Sequence, residues 1–193
     1  MAPNEVSSDN IVRRYKCSDN DKPFRLYRVQ YGGNTSFTAR CEPSFHSENE
    51  FKISVEQHLN WGNRYPTPFV STFADCRHAK YWARQRVKNG ARYVVILEID
   101  PSQLGPIFRV LQLVRDYGVS TNLLEHMYRD EYLILQKIRK RSIIGTEVIR
   151  RDDPDESGDD ESDESDDSAS ITLSTNSAST LTVNRLTAFM LSK

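Results

Sequence analysis

Alternating hydrophobic and polar positions predict about five short β-strands between residues 21 and 151. The run FRLYRVQY at 24–31 has period two and stops at a Gly-Gly-Asn turn, as expected of a strand that ends in a turn. The other predicted strands are 68–73 (PFVSTF), 92–100 (RYVVILEID), 131–138 (EYLILQKI) and 142–149 (SIIGTEVI), with a bulge expected at Gly145.

Apolar residues at helical spacing predict three or four helices between these strands. Ser47 has capping-box spacing to Glu50 and predicts the start of one helix. Asp75 is expected to cap a second helix that runs to Asn89-Gly90. A third helix is predicted from the stripe that begins at 107 and stops at 118, and a short fourth from 120 to 128. The irregular order of strands and helices predicts an α+β fold and not a doubly wound parallel sheet.

The distribution of charge divides the chain into a basic body and an acidic tail. Residues 152–168 contain eleven acids and no base, and such a run cannot bury enough apolar surface to fold. We therefore predict a disordered tail at 152–193, acidic at first and then rich in Ser and Thr. Residues 1–151 hold 24 Lys and Arg against 16 Asp and Glu, a net charge of +8. The folded domain is predicted at 21–151, with 1–20 as a loose leader.

Several classes of protein do not fit the composition. The sequence has no apolar run of the ~18 residues that a membrane span needs and no signal-like N-terminus, so we expect a cytoplasmic or nuclear protein. Its three cysteines and four histidines show no metal-ligand spacing, and no metal is expected. The tight basic cluster at 137–141 is interpreted as a solvated turn in preference to a nucleic-acid site.

Polar residues interrupt three of the predicted apolar strands. Arg28 lies within the first, Ser71 and Thr72 lie within PFVSTF, and Glu131 opens YLILQKI. Each has an ordinary structural explanation, such as a wet strand face, a helix cap or a strand end. Together, in this order, they resemble the Arg–Ser–Glu triad of the ADP-ribosyltransferase superfamily, which includes the enterotoxin-like transferases. The longer string HLNWGNRYPTPFVSTF resembles an uncharacterised family of fungal domains assigned to that fold.

This resemblance implies a domain that binds NAD⁺ as a substrate in a cleft between two split, mixed or antiparallel sheets. It implies that Arg28 holds a phosphate or ribose oxygen and that Ser71 braces the nicotinamide-ribose side and orients the acid. Thr72 would support Ser71 through hydrogen bonds. Glu131 would bond the ribose 2′-hydroxyl and stabilise the positive charge that develops as the bond to nicotinamide breaks.

Two features leave the activity open. Arginine-modifying transferases carry Glu or Gln two positions before the catalytic Glu, and this chain has Arg129 there, so an arginine acceptor is not expected. His58 is interpreted either as a core-edge histidine or as a cleft residue near NAD⁺. One hypothesis is therefore an NAD-consuming transferase or glycohydrolase with an unknown acceptor, such as a protein. The alternative hypothesis is an inactive module that binds a nucleotide or a protein. Neither hypothesis requires nucleic acid or a membrane.

Overall fold

The computed structural model describes residues 7–32 and 35–151, and these form an α+β fold with one antiparallel sheet. Six strands lie in the order β4-β5-β2-β1-β3-β6. The strands are β1 Leu26–Gln30, β2 Phe69–Phe73, β3 Tyr93–Ile99, β4 Ile107–Arg109, β5 Glu131–Leu135 and β6 Ile143–Arg150. The helices are α1 Ser8–Tyr15, α2 Glu48–Leu59, α3 Cys76–Lys88, α4 Val110–Arg115 and α5 Glu125–Tyr128.

The sheet is joined at its centre by a single registered pair. Strands β1 and β2 pair only at Tyr27 and Phe73, whereas β2 and β5 pair over five positions and so do β1 and β3. The two split sheets that the resemblance implied are therefore one sheet with a weak central junction. All the pairings are antiparallel, so no part of the sheet is mixed.

One face of the sheet is covered by helices in two separate areas. Over β4, β5 and β2, Phe51 and Val55 of α2 pack with Phe69, Phe108 and Leu133. Over β1, β3 and β6, the small residues of α3 pack on the strands, and this second core contains Ala79, Ala83, Val87, Val94 and Ile96. The opposite face is covered by loop residues around Leu26, Val70, Ile99 and Ile134. Between the two helix-covered areas lies the junction of β1 and β2, on the face that α2 and α3 both border. We call this part of the face, around Ser71, Phe73 and Glu131, the seam.

The caps of the two long helices agree with the sequence. The hydroxyl of Ser47 accepts the main-chain N–H of Glu50, and the carboxylate of Asp75 accepts the N–H of Arg77. These bonds satisfy donors that would otherwise be orphaned in the first turn. They fix where α2 and α3 begin, and thereby which side chains face the seam.

The predicted helix from 107 to 118 is wrong in its first turn. Residues 107–109 form β4, which pairs with β5 through Ile107 and Ile134, and the helix begins only at Val110. The apolar residues at 107, 110 and 111 have a spacing that fits a continuous helix and also fits a short strand followed by a helix. Periodicity alone therefore does not distinguish these two structures. Ser120 does not cap the next helix either, because α5 begins at Glu125 and the N–H of Ser120 donates to Glu56.

The prediction of a loose leader is wrong for the first helix. Ile11 and Tyr15 of α1 are buried, and Tyr15 stacks on Phe51 with ring centroids 4.6 Å apart. The Tyr15 hydroxyl also donates to Glu48 at 2.8 Å. The folded unit therefore includes α1.

The predicted acidic tail at 152–193 lies outside the described residues, as do residues 1–6. None of the helices in the described part is both long and apolar enough to cross a bilayer.

Candidate functional site

The seam on the helix-covered face brings Ser71 and Glu131 together. Ser71 pairs with Leu133 and Phe73 pairs with Glu131, so Ser71 and Glu131 share a face and lie diagonally across β2 and β5. A hydrogen bond from Ser71 lowers the pKa of Glu131, but the burial of the carboxyl outweighs it. The two residues are separated by sixty positions in the chain and meet because β2 and β5 are neighbours.

Burial dominates the chemistry of Glu131. The residue is 8% exposed, and desolvation raises its carboxyl pKa to about 7. The charge of Asp130 also raises that pKa, whereas Ser71 and His78 lower it. A carboxyl with a pKa near neutrality exchanges its proton easily at physiological pH, which is a property typical of functional acids and bases.

His58 of α2 extends the site by a chain of hydrogen bonds. Its Nε2 lies 2.8 Å from the Ser71 hydroxyl and its Nδ1 lies 2.6 Å from the Thr67 hydroxyl, which is buried. When Glu131 is ionised, Ser71 donates to it, Nε2–H donates to Ser71 and Thr67 donates to Nδ1. When Glu131 is protonated, every bond can reverse. The chain can therefore adapt to either protonation state of the acid without losing a bond.

Arg28 forms hydrogen bonds at the junction of β1 and β2. Its guanidinium donates to the carbonyl oxygens of Ser71, at 3.1 Å, and Ser36, at 3.2 Å. Burial lowers its pKa to about 10, so the side chain is still a cation at neutral pH. By register, Arg28 belongs to the face opposite Ser71 and Glu131, and it reaches the site through the main chain of β2.

Thr72 is not placed where it could touch a ligand. Its side chain is on the opposite face from Ser71, is fully buried, and donates to the carbonyl oxygen of Tyr132 at 2.9 Å. The prediction that Thr72 contributes to cofactor binding is therefore corrected to a supporting role. Its hydroxyl helps to hold β5 against β2, and this holds Glu131 opposite Phe73.

A second polar group beside Glu131 was not predicted from the sequence. Asp130 accepts a bond from His78 of α3, and Trp82 donates to the same histidine. The i, i+4 spacing of His78 and Trp82 on one helix was a usable signal, but the partner of His78 lies 52 positions away. Within the described residues no group of three His, Cys, Asp or Glu is arranged as a metal site.

Comparisons with known proteins give a family and two structural likenesses. No curated protein matches the sequence. An arginine-to-lysine mutant of the heat-labile enterotoxin A subunit is 20% identical, with a TM-score of 0.41, over 65% of this chain and 67% of that one. A chain named EcPltA is 14% identical, with a TM-score of 0.43, over 65% of this chain and 75% of its own. At these scores the likeness is too coarse to identify an activity.

The family match covers slightly more of the chain than either structural likeness does. A family model described as a domain of unknown function, DUF7587, matches residues 15–152. This range includes all six strands and every residue of the seam. The chain belongs to the DUF7587 family.

Proposed function

We propose that this domain binds NAD⁺ and breaks the bond between nicotinamide and ribose, as a transferase or glycohydrolase. The observation that carries the proposal is the meeting of Ser71 and Glu131 on one face of the sheet, with Arg28 on the other face bonded to the main-chain oxygen of Ser71. Their side-chain chemistry fits the reaction. Arginine is suited to a phosphate oxygen, and a desolvated carboxylate is suited to developing positive charge.

The reaction needs no group that the site lacks. The C1′–N bond breaks and its electron pair goes to nicotinamide, which leaves as a neutral ring. The ribose carbon becomes cationic, and the ionised Glu131 stabilises that charge. Water or an acceptor side chain then forms the new bond to C1′ and loses a proton. In this proposal Glu131 orients the ribose 2′-hydroxyl, and its pKa of about 7 suits it to accept that proton.

The neighbouring residues have distinct roles in this proposal. His58 and Ser71 hold the carboxylate of Glu131 in one direction through their hydrogen bonds. Arg28 keeps the junction of β1 and β2 in place through its bonds to two carbonyl oxygens, and its cation adds positive charge behind the main chain of Ser71. Exposed Arg129 stands two positions before Glu131, which disfavours arginine as the acceptor.

A second candidate function is nucleotide binding without turnover. It is favoured by the same raised pKa, since burial favours the neutral form of Glu131 and a neutral acid stabilises a cation poorly. The test is incubation of the full chain with NAD⁺ at pH 8, where Glu131 is mostly ionised. Release of nicotinamide supports the first function. Binding of NAD⁺ by calorimetry, without release at pH 8, supports the second.

The acceptor can be assigned in the same experiment. Free ADP-ribose in an amount equal to the nicotinamide released indicates water as the acceptor. A deficit of free ADP-ribose, with ADP-ribose attached to protein, indicates a transferase.

A further inference from the structure

A second chain of hydrogen bonds ends at the residue next to Glu131. His78 Nδ1 lies 2.5 Å from Asp130 Oδ1, and Trp82 Nε1 donates to His78 Nε2 at 2.8 Å. The other oxygen of Asp130 accepts the main-chain N–H of Asp75 at 3.2 Å, and the Asp130 carbonyl accepts the N–H of Ala74 at 2.9 Å. Asp130 thus ties the start of β5 to the start of α3.

The partners fix the state of the histidine ring. An indole N–H can only donate, so Nε2 of His78 must carry a lone pair and the proton must be on Nδ1. The ring is then neutral and donates to the ionised Asp130. Trp82 in turn contacts Trp61, edge to face with centroids 5.2 Å apart, and Trp61 lies three residues beyond His58. The chain therefore also connects α3 to the loop that follows α2.

We propose that Asp130, His78 and Trp82 form a positioning unit that fixes the start of β5 and holds a negative charge beside the carboxyl of Glu131. The inference rests on the proposed function, in which Glu131 is the reacting acid. The hydrogen bonds among Asp130, His78 and Trp82 do not depend on that function. None of the three residues is a catalytic residue. They act on the reaction through the position and the charge state of Glu131.

Electrostatic effects on Glu131 come from a small set of groups. Asp130 raises the pKa of Glu131, the hydrogen bond from Ser71 lowers it, and His78 would lower it only when its ring is protonated. His58 is linked towards Glu131 through Ser71, and Arg28 bonds the main chain of Ser71. A change of charge at Asp130 should therefore be felt at Glu131 even where the fold is intact. A purely structural tie would not have this effect.

The direct test is a carbon-13 NMR titration of the Glu131 side chain in the full chain. Asp130→Asn keeps an oxygen for His78 but removes the charge, and we expect the Glu131 midpoint to move from about 7 to lower pH. Asp75→Asn is the matched control, since it removes a carboxylate from the same junction while Asn still caps a helix well. It should leave the midpoint unchanged. A midpoint that stays or rises in Asp130→Asn overturns the proposal.

A second variant tests the positioning role. Nitrogen-15 NMR of wild-type protein should show the Nδ1–H form of His78 alone, and Trp82→Phe should show a second, doubly protonated form, because Asp130 keeps Nδ1–H while the freed Nε2 can take a proton. With activity present, kcat should fall by up to about 10²-fold with KM for NAD⁺ unchanged, a scale seen for small displacements of reacting groups. Tyr81→Phe, a change in the adjacent ring, should alter neither. Retention of one ring form in Trp82→Phe contradicts the unit.

These outcomes separate the inference from the function. If wild-type protein releases no nicotinamide but the Glu131 midpoint shifts as expected, the positioning unit stands and the proposed reaction falls. If nicotinamide is released and the midpoint does not move, the reaction stands and the positioning unit falls.

Discussion

Glu131 lies directly opposite Phe73 in the register of β2 and β5, and this pairing sets it diagonally across from Ser71 on the same face of the sheet. A shift of one residue in that register would move Glu131 to the other face, away from His58 and His78. The hydrogen bond from Thr72 to Tyr132 opposes such a shift. The site is therefore built by strand pairing, and its chemistry depends on how deeply the pairing buries Glu131.

Glu131 should make the protein less stable as pH rises. Its folded pKa of about 7 is above the ordinary glutamate pKa of 4.5, so the folded state holds the proton more tightly than the unfolded state does. The stability contributed by protonated Glu131 is fully present below about pH 4.5 and is lost as pH rises through about 7. Glu131→Gln should then raise the free energy of unfolding at pH 8, on the order of 3 kcal/mol at most, and raise it little at pH 4.5.

Thermal unfolding at pH 4.5 and pH 8 measures this difference. Glu125→Gln is the matched control, since Glu125 is an exposed residue that pairs with Arg115. An equal change of Tm at both pH values for Glu131→Gln would show that burial does not disfavour the ionised form of Glu131 in the folded protein.

Replacement of His58 should lower turnover more than it lowers stability. His58→Ala removes the group that joins Thr67 to Ser71, so Ser71 can rotate and Glu131 loses its fixed direction. We expect a loss of about 10-fold or more in kcat and a cost of ~1–3 kcal/mol in unfolding for the buried Thr67 hydroxyl. His46→Ala, at an exposed histidine, should change neither. Equal kcat values for the two variants would remove His58 from the site.

Arg28 should be necessary for both the fold and nucleotide binding. Arg28→Lys keeps the charge but cannot present two donors in a fixed fork, so either the Ser71 or the Ser36 carbonyl should lose its bond. The free energy of unfolding should fall by ~1–3 kcal/mol. The Kd for NAD⁺, measured by calorimetry, should rise while kcat changes little. Arg25→Lys, in a half-buried pair with Glu98, is the control. A Kd unchanged in Arg28→Lys would limit Arg28 to a structural role.

The stability of Tyr15 variants tests whether the first helix belongs to the folded domain. Tyr15→Ala leaves a cavity beside Phe51 and removes the bond to Glu48, and we expect a loss of ~3–5 kcal/mol measured by chemical denaturation. Tyr15→Phe removes only the hydroxyl and should cost ~1 kcal/mol. A negligible effect of Tyr15→Ala would restore the interpretation of 1–20 as a loose leader.

Local signals predicted the parts of the fold that depend on neighbours in the chain. Ser47 and Asp75 were recognised as helix caps because the cap and its recipient are two or three residues apart. The strand at 107–109 was missed because its identity depends on pairing with β5, more than twenty residues away. The polar interruptions Ser71 and Glu131 could be read from the sequence, but the burial of Glu131 could not.

Contacts between elements that are far apart in the chain could not be predicted from the sequence. Apart from His58, the histidines, His78 among them, were considered only for metal-ligand spacing, and no role was predicted for Asp130. Their contact exists because α3 begins directly after β2, the strand that pairs with β5. Arg28 was expected to face the ligand alone, whereas a desolvated guanidinium also needs acceptors, and the carbonyls beside the junction of β1 and β2 provide them.

The central claim is that the ionised Glu131 carboxylate supports cleavage of NAD⁺, and nicotinamide release at pH 8 tests it most directly. The full chain, Glu131→Gln and Glu125→Gln are compared at the same NAD⁺ concentration. We predict release by wild type and Glu125→Gln, and a rate about 10²–10³-fold lower for Glu131→Gln with NAD⁺ binding retained, the scale expected when one preorganised group is lost. Equal rates for wild type and Glu131→Gln would contradict the account.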